Sequence, residues 1–332
     1  MTLPLPAADW RAREAAHAER ADALTAGHRA RAARGEKHPI EDFLFTYYAY
    51  SPSVLRRWHP GAGVELLEAE GEPRAAWRWY SPGPTPGGLV VDRAAMEREK
   101  APLLATIERI LRSTAARPGR FGCFGLHEWA MVYRQDEHRH DVPLRLGPGG
   151  TDAVVEAAEL RCTHIDAYRF FTPDAVPRNR FAPTRETQPE LEQPGCLHAG
   201  MDVYKWAMKL GPLVPGELLL DAFELALDIR MLDMQASPTT CGRGARSPCA
   251  SRPSRARPST CAASARSPSG RTHCANGCST RGRAAVRSRP PGTGSRLSRR
   301  YYRRRPSRCR GCLSAAVSAR WSVPASRCSA RS

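Results

Sequence analysis

From Thr239 to Ser332 the chain contains no Asp, no Glu, no Lys, no Ile and no Phe. A segment without those residues cannot bury enough apolar surface to offset its chain entropy, which excludes an ordinary folded core there. Nowhere does the chain reach 18 consecutive apolar residues, so no membrane span is expected. "MTLPLPAADW" at the start lacks a basic stretch followed by an apolar run, so no secretory leader is expected either. Cysteine is scarce before residue 238: only Cys123, Cys162 and Cys196. Such sparse thiols fit a reducing compartment, and a cytoplasmic location follows as the expectation.

What is present after residue 238 is Arg, Ser, Pro, Ala, Gly and Cys. Of the 51 basic residues, 22 lie there, all Arg, with eight of the 11 cysteines. The preceding part, residues 1–238, keeps 29 basic residues against all 33 acidic ones, a formal charge of -4. The whole-chain charge of +18 therefore describes neither part. Three readings of the tail compete. It is a basic arm for nucleic acid, a cysteine-rich metal module built on "CANGC" and "CRGC", or the out-of-frame product of GC-rich DNA. The cysteine pairs have almost no apolar residues around them. The basic charge lacks lysine, and the composition favours the third reading. Residues 239–332 are accordingly expected to be a disordered low-complexity tail from a frameshift.

Residues 1–238 read as one mostly α domain with a small β element. Trp10 to Gly35 has the Ala, Arg and Glu content of a long surface helix. Pro39 with Glu41 and Asp42 opens a second helix whose buried face is Phe43, Leu44, Tyr47 and Tyr48. A short helix runs from Ser53 to Trp58. Short apolar runs around Gly and Pro between about 63 and 91 predict a hairpin or meander. Asp92 caps a helix to about Ser113. Further helices are expected over Cys123–Arg134, over Thr151–Leu160, from about His164 or Asp166, before Gly211-Pro212, and from Pro215 onward. The segment from Pro173 to Gly195 is a long irregular loop, and loops of that length are often functional.

Four motifs put polar groups inside apolar runs. "GLHEWAMVYR" carries His127, Glu128, Trp129, Tyr133 and Arg134. It lacks the second His of a zinc-protease helix. "CTHIDAYRF" carries Cys162, His164, Asp166, Tyr168 and Arg169. "CLHAGMDVYKW" carries Cys196, His198, Asp202, Tyr204, Lys205 and Trp206. The last two echo each other: Cys-x-His, then Asp, then Tyr followed by a basic residue. Cys162, His164, Cys196 and His198 together form an alternative metal set, although buried cysteines also act as small hydrophobes; otherwise no cofactor is expected. The fourth motif is on the last helix, Glu217, Asp221, Glu224, Asp228 and Arg230, whose acidic stripe is expected either to face solvent or to meet Arg134, Arg169 or Lys205 across the core.

The strings "GEKHPIEDFLFTYYAYSPSVLRRWHPG", "GCFGLHEWAMVYR", "RCTHIDAYRFFTP" and "QPGCLHAGMDVYKWAMKLGPLVPGELLLDAFELALDIRMLDMQASP" resemble a family of actinobacterial proteins labelled 3-methyladenine DNA glycosylase. The resemblance covers about Trp10 to Pro238. It implies hydrolysis of an N-glycosidic bond after the damaged base is flipped out of DNA. Glu128, Asp166 and Asp202 would be the catalytic carboxylates, with His127 and His198 beside them. Trp129, Tyr133, Tyr168, Tyr204 and Trp206 would stack on the base, and Arg134, Arg169 and Lys205 would orient base or phosphate. Relatives continue after "ASP" with something like Tyr-Asp-Leu. One restored base before a Thr-Thr-Cys reading of ACG ACC TGC gives that tripeptide. Against DNA as partner stands the charge of -4, since DNA-binding domains usually carry a positive footprint. An enzyme acting on a small nucleobase-like or cyclic metabolite, with or without a metal, is the alternative. A non-enzymatic helical protein that binds a small-molecule ligand is the third class.

Overall fold

The computed structural model describes residues 2–135 and 142–240. The expected tail, apart from Thr239 and Thr240, lies outside the described residues.

The chain opens with strand β1 (Leu3–Leu5) and the long helix α1 (Ala7–Ala33). α1 buries Trp10, His17, Ala21 and Thr25 along one face, a narrow stripe on an otherwise charged helix. Two short helices follow, α2 (Phe43–Tyr47) and α3 (Pro52–Leu55). The β element then forms from β2 (Val64–Leu66), β3 (Tyr80–Pro82) and β4 (Leu89–Val91). These match the expected meander, but β1 joins them and the sheet order is β1-β2-β4-β3. β1 pairs parallel to β2, Leu3 opposite Val64. Pro4 disguises this strand in the sequence, yet an edge strand tolerates a proline because one side of it has no partner.

Asp92 accepts a hydrogen bond from Ala95 N at 2.8 Å and starts α4 (Arg93–Ala115), as its position predicts. α4 kinks at Lys100, two residues before Pro102, where the ring removes a helix donor. The expected helix over Cys123–Arg134 is shorter, α5 (Leu126–Ala130). Then come α6 (Gly147–Ala157), α7 (Ile165–Tyr168) and α8 (Gln188–Leu191). α8 lies within the long loop expected to be irregular. The last two helices, α9 (Leu197–Leu210) and α10 (Gly216–Ala236), are antiparallel neighbours across the turn at Gly211-Pro212.

Three apolar clusters hold the fold. α9 and α10 form the largest with Leu44, Leu55, Ile107 and Ile110. Trp10, Trp58, Leu66 and Met96 fasten the sheet to α1. Trp129, Tyr133, Val155, Leu160, Cys162 and Phe171 make the third, under α5 to α7. Three members of the acidic stripe of α10 meet α1 rather than the arginines or lysine that one reading expected. Glu217 pairs with Arg13, while Asp221 and Glu224 both pair with Arg20 on α1. Among the described residues no helix is long and apolar enough to cross a membrane.

Candidate metal centre

The site begins with a glycine. Gly125 has φ +70, and a Cβ there would fall 2.4 Å from the Ala236 Cβ. Only glycine combines that backbone with that contact. One turn later the Trp129 indole donates to the Ala236 carbonyl at 2.8 Å. Together these pin α5 to the C-terminal end of α10. Arg145 secures the same end by donating to the carbonyls of Met234 and Gln235, groups a helix terminus leaves without intrahelical partners, and to that of Thr239 just beyond it.

This docking brings His127 and Glu128 of α5 against Asp233 and Arg230 of α10. The His127 Nε2 lies 3.1 Å from Asp233 Oδ1 and 3.8 Å from Glu128 Oε1. His127 and Asp233 are 3% and 0% exposed at their side chains. Yet neither the Nε2 nor either Asp233 oxygen makes a hydrogen bond. The atoms are near enough, but their donor and lone-pair directions do not meet. The opposite ring nitrogen, Nδ1, lies 3.9 Å from the Cys123 sulfur. With the proton on Nδ1, the Nε2 lone pair faces the two carboxylates. One imidazole nitrogen and two carboxylates within reach of a common point make a donor set for a divalent ion such as zinc or manganese. Arg230 stands at the rim, 3.4 Å from Glu128 and 3.6 Å from Asp233, with its guanidinium 3.8 Å from the Phe43 ring centroid. Without an ion, burial favours the neutral imidazole, but Asp233 and Glu128 overcome it and raise His127 to about 9.

A second group adjoins the first. His164 Nε2 is 2.9 Å from Glu192 Oε1 and 3.4 Å from Asp202 Oδ2. These three also have the composition of a metal set. However, His164 Nδ1 accepts the backbone N–H of Asp166 at 3.2 Å and so caps α7. An Nδ1 that accepts leaves the proton on Nε2, where a ligand needs a lone pair. Like His127 Nε2, His164 Nε2 makes no hydrogen bond; what separates the two is the capping role of His164 Nδ1. Burial opposes the charged form, but Asp202 and Glu192 favour it and raise the group to about 10; protonating Nδ1 would then give up the α7 cap, so neither protonation state offers a lone pair at Nε2. His198 sits between the groups, its ring centroid 4.6 Å from that of His127 and 5.5 Å from that of His164. Burial, and then the His127 charge, lower it to about 3 and keep it neutral.

Beyond Asp202 lies a cation-rich edge. Lys205 bridges Asp202 and Asp166, Arg185 pairs with Asp166, and Arg169 approaches Asp166 at 3.6 Å. The Tyr48 hydroxyl donates to Asp202 at 2.9 Å. Burial opposes ionisation of Asp166, but Arg185 and Lys205 hold its carboxyl below the usual range.

Of the five residues expected to be catalytic, His127 and Glu128 fall in the first group, Asp202 in the second and His198 between them, while Asp166 lies on the edge, joined to Asp202 through Lys205. The expected binding residues divide. Lys205 and Arg169 lie on that edge. Trp129, Tyr133 and Tyr204 are core side chains; Tyr133 donates to Glu156 and packs in the third apolar cluster. Trp206 is buried with Lys205 4.3 Å from its ring centroid, and Tyr168 packs on Phe171. Arg134 is exposed and paired with Glu156. Of the alternative metal set, only His164 falls in a group of converging ligand atoms; Cys162, Cys196 and His198 do not. Sequence reasoning missed Asp233, Glu192, Arg185 and Cys123, and named Arg230 only as part of the last helix's charged motif. Asp233 and Arg230 did leave a signal: with Leu220, Phe223 and Ala226 they continue the three- and four-residue spacing of the buried face of α10. No family model matches the chain, and no curated protein or solved structure matches it.

Proposed function

We propose that this chain is a metal-dependent hydrolase whose ion is held by His127, Glu128 and Asp233. What carries the reading is the set of buried, close but unaligned contacts around His127 Nε2 and Asp233. A plain ion pair would turn its groups toward each other, because an unsatisfied buried polar group costs about 1–3 kcal/mol. Groups that instead converge on a point between them suit a third species. A bound divalent ion would supply Lewis acidity and lower the pKa of a water. The remaining chemistry belongs to the chain. Arg230 balances the two carboxylates at the rim. Glu128 is the most exposed of the three ligands and accepts from Arg230 at 3.4 Å. His164 Nε2, 2.9 Å from Glu192 and 3.4 Å from Asp202, lies between the centre and the Lys205–Asp166 edge.

The test is chelation followed by reloading with zinc or manganese, with hydrolysis assayed on phosphoesters, amides and nucleosides. Turnover that depends on the ion and disappears in Asp233→Asn is expected. Turnover indifferent to chelation contradicts the proposal.

N-glycosidic hydrolysis of alkylated DNA, the reaction the resemblance implies, is the second reading. The observation in its favour is that His127, Glu128, Asp202 and His198 fall in or between the two adjoining groups, with Asp166 at their edge. Asp166 and Asp202 are already matched by Arg185, Lys205 and Arg169, which weakens any stabilisation they offer a sugar cation; Glu128 is the better candidate. An abasic-site assay on methylated DNA, with Asp166→Asn and Asp202→Asn as controls, tests it. No base release by folded protein would end it.

A further inference from the structure

Cys123, whose sulfur touches His127, also lines a surface cavity of about 430 Å³. Its other walls are Arg120, Phe121, Gly122, Arg161, Arg180 and Phe181. We propose that this cavity binds a phosphate ester carrying a planar ring, of the nucleoside monophosphate class. Its role as the substrate mouth rests on the metal-centre reading; the binding itself does not.

The volume is in the range of small-molecule sites. The charge is right for a dianion. Three guanidinium groups surround the space, and the acid near them is Glu159, which pairs with Arg161 and lies 3.6 Å from Arg180. Among the described residues the Arg120 side chain, which is exposed, makes no hydrogen bond or ion pair. Guanidinium groups bind phosphate through paired, charge-assisted hydrogen bonds. The rings are right for a planar group. Phe121 is 73% exposed, a placement core packing does not explain, and Phe181 is half-buried across the cavity.

Both walls are held in place by amide side chains. Gln193 accepts from Arg120 N at 2.7 Å and donates to Arg120 O at 3.0 Å. Gly195 lies so close that a Cβ there would come within 2.6 Å of the Arg120 carbonyl oxygen. Opposite, Asn179 accepts from Cys162 N at 2.8 Å and donates to the carbonyls of Cys162 and Phe181 at 2.9 and 2.6 Å. Arg180 N donates to Leu160 O at 2.9 Å. Backbone fixed in this way lowers the ordering cost of binding.

The experiment is calorimetric titration of the full chain with 5′-AMP, adenosine, inorganic phosphate and a short single-stranded oligonucleotide. The variants are Arg120→Glu and Phe121→Ala, both exposed and checked by melting. The tail arginines are common to all proteins, so variant-dependent binding reports the cavity. AMP is expected to bind at least about tenfold more tightly than adenosine or phosphate, and Arg120→Glu to weaken it about tenfold or more. Phe121→Ala should weaken AMP while leaving phosphate unchanged. Tighter binding of the oligonucleotide, with the same variant losses, identifies the phosphate source as a strand. AMP affinity unchanged in both variants, or adenosine binding as well as AMP, overturns the proposal. The metal reading is scored separately, by ion uptake in the same preparations. Variant-sensitive AMP binding without ion uptake leaves the cavity standing and removes its link to the centre.

Discussion

Asp233 is the least exposed carboxylate of the proposed centre, and both its oxygens lack hydrogen bonds. Asp233→Asn keeps its shape and removes its charge. Zinc affinity is therefore expected to fall at least about tenfold, as for other losses of a ligand or its support. Equal affinities for the two proteins would remove Asp233 from the site. His164 gives a pH prediction. Its folded-state value, about 10, lies above the ordinary 6.5. The folded state thus binds the proton more tightly, and this contribution is complete below pH 6.5. It is lost as pH rises through about 10. Urea unfolding of metal-free protein should show this alkaline loss, and His164→Gln should flatten the curve. Identical slopes above pH 7 would contradict it.

The pairing of α5 with α10 decides whether the site exists, and it rests on Gly125. Gly125→Ala must hold an L-residue in the left-handed region, which costs about 1–2 kcal/mol, and must also displace Ala236. Lower stability in urea and weaker ion binding are expected together, with partial recovery on adding Ala236→Gly. Unchanged stability would show that α5 docks by other means. Much at this scale was legible beforehand. Periodicity and caps revealed α1, α4, α9 and α10, and the turn residues between 63 and 91 revealed the meander. β1 was hidden because Pro4 reads as coil, and α5 was overextended because an apolar run does not show where a tight turn begins. The site was half legible. His127, Glu128, His198 and Asp202 stood out as polar residues in apolar runs, whereas Glu192 sits in a loop with no period to break. The cysteines suggested a metal set by spacing alone, but spacing does not show that ligand atoms converge.

At the scale of the whole chain, charge is the quantity most easily misread. A value of +18 suggests a nucleic-acid binder, while residues 1–238 carry an excess of acid. Thr239 still pairs with Leu144, and Thr240 N donates to Pro143 O, so the described backbone continues just past α10. Beyond it we propose that the Arg-rich sequence is the product of one lost base. Sequencing the DNA across Thr239 to Cys241 is expected to show the deletion; an intact frame contradicts it. The central claim, an ion held by His127, Glu128 and Asp233, is tested most directly by metal analysis of the full-length protein. Chelator-treated protein would be dialysed against zinc or manganese, beside the variant His127→Ala/Asp233→Asn. Tail cysteines are common to both, so the difference between them reports the centre. The account predicts one more bound ion per chain in the parent than in the variant. Equal metal content in the two proteins would contradict it.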